Sequence, residues 1–185
     1  MYRNSFESLI FDPEIKLRMN FKAILENFNT RLWSYHIKVP GPIAQHFIDL
    51  GEKRVVCTLN DSLEMQSGLM PAGDGVYFIN INKKIRDKLK IAEGSTVNVS
   101  LRIDESEYGL PMPEEFAEVL NQDTEGRLWF EKLTPGKKRN LIYIAGQIKN
   151  TDLRIHRSMV ILEHLKNNEG NIDFKALNGE LKSSR

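Results

Sequence analysis

The sequence lacks most of what secreted, membrane-spanning or well-characterised catalytic chains display. It has a single cysteine, Cys57, which excludes an intrachain disulfide and fits a reducing compartment. That thiol sits in the alternating run "RVVCTL", where a free cysteine packs like a small hydrophobe. No apolar run approaches the roughly 20 residues of a membrane span. The opening "MYRNSFESLIFDPEIKLRMN" is charged throughout and has no small-residue cleavage site after an apolar block, so it does not read as a secretory signal. A cytoplasmic location is expected. Charge of one sign is not in surplus either. The net charge is +1, which argues against a surface that grips nucleic acid all over.

Catalytic signatures are missing too. There is no G-x-S-x-G, no G-x-x-x-x-G-K-[ST], no H-E-x-x-H and no cysteine pair. The histidines, His36, His46, His156 and His164, are scattered along the chain, and the last two are too far apart on one helix to share a metal unaided. Glu114 and Glu115 fall at a helix start, where the dipole favours carboxylates, and adjacent helical positions do not face each other. No catalytic residue, metal site or cofactor is assigned, and a non-enzymatic protein is expected.

What is present is periodicity, in a chain of 185 residues with 41% hydrophobic content, enough for a domain and a smaller unit. "MNFKAILENF" and "WSYHIKV" alternate as half-buried strands do. "PIAQHFIDL" follows as a short helix with Ile43, Phe47 and Leu50 on one face, ended by Gly51. "KRVVCTL" is a strand, Asn60-Asp61 a tight turn, and "SLEMQSGLM" the returning strand. Pro71, Gly73 and Gly75 mark a loop; the letters "GDG" suit a connection needing positive φ or a backbone nest for an anion. "VYFINI", a basic helix and "STVNVSL" come next.

Residues 35–59 laid over residues 77–101 agree in register. Tyr35 meets Tyr77, Ile37 Ile79, Val39 Ile81, Ile43 Ile85 and Phe47 Leu89; Val55, Cys57 and Leu59 meet Val97, Val99 and Leu101. Strand, short helix, glycine break and strand are written twice with matching apolar faces. The expectation is an internal duplication, two similar halves packed about an approximate two-fold axis. After Asp104 the pattern changes to polar and turn-rich, then to a helical period from Pro113. Asp123 is a candidate cap, and helices are expected after Thr134 and Asn150. The organisation expected is an N-terminal extension (1–18), a duplicated β domain (19–104), a linker (105–112), a helical domain (113–167) and a loose tail (168–185).

The motifs "NFKAILE", "WSYHIKVP", "RVVCTLN", "GVYFININKKIRDKL" and "GSTV" resemble those of the bacterial domain-of-unknown-function family numbered 1905. The stretches "PEEFAEVL", "FEKLTPGKKRNLIYI" and "DLRIHRSMVILEHL" resemble the YdeI/OmpD-associated, or bacteriocin-protection, family. The resemblance implies an α+β chain: a mainly β double-split pseudobarrel with short capping helices, then a small C-terminal helical unit. It implies no established chemistry. Gly146 and Gln147 stand where that second family usually has a small residue and a lysine, leaving Lys149 to take the lysine's part. "KIRDKLKIAEGSTV" also resembles the swapped-hairpin DNA-binding modules of bacterial transition-state regulators and antitoxins.

Basic residues are unevenly placed. Lys83, Lys84, Arg86, Lys88 and Lys90 face only Asp87, while the matching helix of the first half has no lysine or arginine. Lys137, Lys138, Arg139, Lys149, Arg154 and Arg157 oppose only Asp152. Each cluster reads as a solvated face or as part of an anion site. The expected function is a binding protein that holds an anionic small molecule or protein partner in a basic cleft between barrel and helical unit. Candidate contacts are Arg54, Asn82, Lys83 and Arg86, with Arg139, Arg154 and Arg157. The alternative is a DNA-binding regulator, weakened because a two-fold reader should present matched basic helices. Trp33, Tyr35 and Tyr77 read as barrel-face core, or as a stacking platform for bases. A monomer or weak dimer is expected.

Overall fold

A computed structural model describes residues 18–29 and 35–183. Trp33, and the expected extension apart from Arg18, lie outside the described residues. The chain divides into two compact units, Met1–Glu105 and Ser106–Arg185, so it is an α+β protein with its strands in the first.

The first unit runs β1 (Met19–Asn27), β2 (Tyr35–Val39), α1 (Gly41–Asp49), β3 (Arg54–Leu59), β4 (Leu63–Gly68), β5 (Met70–Gly73), β6 (Val76–Asn80), α2 (Lys83–Leu89) and β7 (Thr96–Ile103). The strands form one curled antiparallel sheet in the order β4-β3-β7-β1-β2-β6-β5. Its two ends are nearly one piece of chain, because only Leu69 separates β4 from β5. β1 plays the matching part inside the order: its first half pairs with β7 and its last residues with β2. Alternation sends Leu25, Ile37, Val55, Cys57, Leu59, Ile79, Val97 and Leu101 into a shared core at essentially zero exposure. Burial pushes the Cys57 thiol up to about 12, which keeps it protonated and inert.

The strand registers carry the duplication. Ile37 pairs with Ile79, and Thr58 pairs with Ser100; each residue thus meets its own repeat equivalent across the ladder. Two seams pairing like with like define an approximate two-fold axis through both. The repeat also extends further than the sequence showed. Leu25 pairs with Ile37 in β1–β2, and β5–β6 continues the same register to bring Leu69 towards Ile79. The Leu25 amide donates to Ser95 O at 2.9 Å, and the Leu69 amide donates to Lys53 O at 2.9 Å. Both leucines are buried. So β1 and the β4–β5 run are equivalent strands, each shared between the two faces of the curl.

Local chemistry explains the turns. Asn60 and Asp61 have φ of 48° and 52°, and the Ser62 amide donates to Leu59 O at 3.1 Å, the mirror-image turn expected there. Gly73, Asp74 and Gly75 all have positive φ. The loop expected from Pro71 onward begins later than its letters suggested. Pro71 and Gly73 belong to β5, and a proline is tolerated because β5 pairs on one side only, across a register shift. Leu50, placed on the buried face of α1 by spacing, is the C-cap and 54% exposed; Ala44 and Phe47 are the buried residues.

The second unit holds α3 (Glu114–Gln122), α4 (Thr124–Glu131), α5 (Pro135–Gly146), α6 (Thr151–Asn167) and α7 (Phe174–Ser183). The long α6 packs against the other four. Asp123 caps α4 by accepting from the Gly126 amide at 2.8 Å, and Asn150 caps α6 by accepting from the Leu153 amide at 2.9 Å. Gly126 lets α4 approach α6 closely, since a Cβ there would lie 2.9 Å from that of Leu162. Two expectations fail here. Tyr108, Leu110 and Met112, in the stretch read as linker, pack against this helical core. Residues 168–185, read as a loose tail, contain α7, whose Leu177 and Leu181 are buried. Phe174, Leu177 and Leu181 share one helical face, a weak periodicity hidden by the polar letters between them. No helix among the described residues is long and apolar enough to cross a membrane.

Candidate functional site

On the first unit, Asn82 is the N-cap of α2 and accepts from the Ile85 amide at 3.0 Å. Lys83 follows it, exposed at the first turn. Arg86, one turn on, donates to Ile81 O at 2.8 Å and lies over the Tyr35 ring at 3.7 Å. Its guanidinium therefore fastens α2 to the end of β6 and to β2, which accounts for one of the five basic residues of that helix structurally. The other four, Lys83, Lys84, Lys88 and Lys90, are exposed. Arg54 lies at the start of β3 opposite Gly68, with a guanidinium nitrogen 3.2 Å from where a Cβ on that glycine would be. A side chain at position 68 would meet it. Tyr35 and Tyr77 are partly buried against the barrel core.

On the second unit, Arg154 is committed to the fold. It donates to both oxygens of Glu115, at 2.9 and 2.8 Å, to Ile148 O at 3.0 Å and to Lys149 O at 3.2 Å. It closes the turn between α5 and α6 and ties it to α3. Glu115's own backbone amide, followed by Arg154, holds that carboxyl below its usual range against the opposing effect of burial. Lys138 is likewise engaged, in an ion pair with Glu131, whose other oxygen accepts from the Tyr108 hydroxyl at 3.1 Å. Arg139 is half-buried on α5. Two of the six basic residues in 137–157, Lys138 and Arg154, are thus taken up by internal ion pairs.

Arg157 is placed differently. It donates to Ile144 O at 3.0 Å and lines a groove of about 350 Å³ in the helical unit. Asn140, Tyr143, Ile144 and Gln147 come to this groove from one face of α5; Phe174, Asn178, Leu181 and Lys182 come from one face of α7. Among the described residues no carboxylate lines it. The volume lies within the range typical of small-molecule sites. The α7 wall is pinned to α6 by His164, which is buried. Its Nε2 accepts from the Asp173 amide at 3.3 Å, which leaves Nδ1–H to donate to the Glu180 carboxylate at 3.0 Å. A second hollow, about 400 Å³, lies over β1 and β7 of the barrel, where Lys22 is offset by Asp61 among Asn20, Asn98 and Ser100. Its mixed charge suits an anion less well.

Residues 21–101 match the family model described as a domain of unknown function (DUF1905), and residues 110–168 match the one described as bacteriocin-protection, YdeI or OmpD-associated. The two matches follow one another along the chain in that order. No curated protein and no solved structure matches it significantly. Within the stretch that matches the second of these models lie Asn140, Tyr143, Gln147 and Arg157. Phe174, Asn178 and Lys182 fall beyond residue 168, on the helix that the sequence did not reveal. Of the seven candidate contacts named from sequence, Arg157 alone lines the groove. Asn140, Tyr143 and Gln147 carried a readable signal: they share a helical face away from the buried Leu141, Ile142 and Ala145.

Proposed function

We propose that the chain is a cytoplasmic, non-enzymatic binding protein, and that it holds an anionic ligand in the α5–α6–α7 groove of its helical unit. The single observation behind this reading is the exposed Lys182 in a groove whose described lining has no carboxylate. Its ammonium offers a mobile point charge to a carboxylate or phosphate. The carboxamides of Asn140, Gln147 and Asn178 supply neutral donors and acceptors beside it. Ile144, Phe174 and Leu181 give an apolar floor against which a ligand's body loses water.

A thermal-shift screen of the full chain against phosphates, carboxylates and nucleotides tests this, since a ligand that binds only the folded state raises its stability. At least one anion should raise the melting temperature, and Lys182→Ala should diminish that rise. If no anion at millimolar concentration shifts the transition, the reading fails. DNA binding is the rival outcome. It would show as duplex affinity that weakens steeply with salt, together with insensitivity to Lys182→Ala. The asymmetry between α1 and α2 favours the groove over the duplex, because the two-fold barrel carries its exposed lysines on one helix of the pair only.

A further inference from the structure

The barrel carries a site of its own, independent of the helical groove. Strand alternation turns Asn20 and Lys22 of β1, with Asn98 and Ser100 of β7, to the outer face. The register sets Lys22 beside Asn98 and Asn20 beside Ser100. On the far side of β7, the Asn60 amide donates to Asn98 O at 2.8 Å, and the next residue, Asp61, lines the same hollow of about 400 Å³. Lys22 and Asp61 thus stand on opposite sides of β7, roughly 10 Å apart at two strand spacings. Among the described residues, none of these five side chains has a hydrogen-bond or ion-pair partner.

The other half of the repeat provides a comparison. Since Leu25 corresponds to Leu69, Lys22 corresponds to Gln66 and Asn20 to Glu64. The registers agree: Gln66 pairs with Val56 and Glu64 with Thr58, the counterparts of Asn98 and Ser100. There the polar side chains satisfy one another. Gln66 donates to Asp104 at 3.2 Å, and Arg102 pairs with Glu64 at 2.9 Å. The fold can close this face on itself, and in the β1–β7 half it leaves the face open.

We infer that the hollow over β1 and β7 binds a free α-amino acid with a polar side chain. The ligand's carboxylate meets the Lys22 ammonium and its ammonium meets the Asp61 carboxylate. Asn20, Asn98 and Ser100 offer donors and acceptors to its side chain. A plain anion would be drawn by Lys22 and repelled by Asp61, and a plain cation the reverse. A neutral sugar would use the carboxamides and hydroxyl, yet strip water from two charges without replacing it. A zwitterion satisfies both charges.

NMR titration of the isotopically labelled full chain at low salt tests this. The probes are serine, threonine, asparagine and glutamine, then the N-acetyl and carboxamide derivatives of whichever binds best. At least one amino acid should move the Lys22 and Asn98 amide signals saturably. Its dissociation constant should be on the order of millimolar, because exposed charge pairs contribute little each. Each derivative lacks one charge and should bind about fivefold more weakly. Lys22→Gln should weaken the amino acid about fivefold and leave its carboxamide derivative unchanged. Asp61→Asn should weaken the amino acid likewise and leave the N-acetyl derivative unchanged. Both residues are exposed, and asparagine tolerates the φ of 52° at position 61, so both variants should fold. The absence of saturable shifts overturns the proposal. So does equal affinity for the amino acid and either derivative, or indifference of the amino acid to either substitution. Shifts confined to the helical unit overturn it too, and assign the amino acid to the α5–α6–α7 groove instead.

Discussion

In the barrel, buried leucine, isoleucine and valine pairs meet across a ladder that repeats, and burial raises the pKa of its Cys57 thiol. In the helical unit a core of the same kind is bordered by ion pairs that join one helix to another: Arg154 with Glu115, Lys138 with Glu131, and Lys166 with Asp123 at 3.0 Å. The barrel's pairs, Lys38 with Glu26 and Arg102 with Glu64, reach instead from strand to strand. The difference follows from how each fold satisfies its backbone. A curled sheet pairs its amides and carbonyls strand to strand, so side chains are left to pack. Helices leave four amides and four carbonyls open at every end, and short helices multiply those ends. Arg154, Asp123, Asn150 and Arg157 all serve such termini.

This contrast can be broken or sharpened by measurement, starting from the largest expected effects. Phe47→Ala in the barrel and Phe116→Ala in the helical unit should each cost about 3–5 kcal/mol, since both rings are fully buried. Hydrogen exchange resolved by peptide should place the first loss in barrel peptides and the second in helical ones. Leu25→Ala and Leu69→Ala should cost about 2–5 kcal/mol each and, if the two strands are equivalent, by similar amounts. A large disparity, in chemical denaturation, would count against that equivalence.

Acid should separate the units next. Glu115, Asp123 and Glu131 all lie in the helical unit with carboxyls held below the usual range. For Asp123, burial works the other way, and the Gly126 amide and Lys166 prevail over it; for Glu131, Lys138 and Tyr108 do the same. A depressed folded value means stability present above the ordinary carboxylate value of about 4 and lost as pH falls through the lower, folded one. Lys166 runs in the opposite sense. Glu163 and Asp123 push it up to about 12, so its contribution is complete below about 10.4 and disappears as pH rises through about 12. Exchange protection should therefore decline at both extremes sooner in α3, α4 and α6 than in the strands. Uniform loss across both units would erase the contrast.

The smallest effects concern caps and surface charge. Asn82→Ala and Asn150→Ala should cost about 1 kcal/mol apiece, one in each unit. Lys84→Ala should stay within about 0.5 kcal/mol. A larger loss would show that the exposed lysines of α2 support the fold.

What the sequence disclosed follows the same physics. The strand–helix–strand repeat was visible because the side-chain period switches at matching places in residues 35–59 and 77–101. The membership of β1 was not. Leu25 and Leu69 correspond at a spacing two residues longer than that relating Ile37 to Ile79, so a single fixed offset passes over them. The candidate site was legible only in part. Arg86 and Arg154 share their letter with ligand-binding arginines, yet they hold carbonyls of their own chain. Such a commitment depends on where a helix ends in space, which residue type alone does not specify. Arg157 was found for its charge, while its groove partners on α7 were hidden by a helix whose apolar face is three residues wide.

A strand that lies beside its own counterpart needs no second kind of surface to do so. Because Ile37–Ile79 and Thr58–Ser100 are pairings of like with like, the contacts joining the two halves are those that two identical peptides would make with each other. A gene for one half of the barrel alone could have built it as a symmetric dimer. Fusion would then have freed one α helix to gather lysines while the other has none.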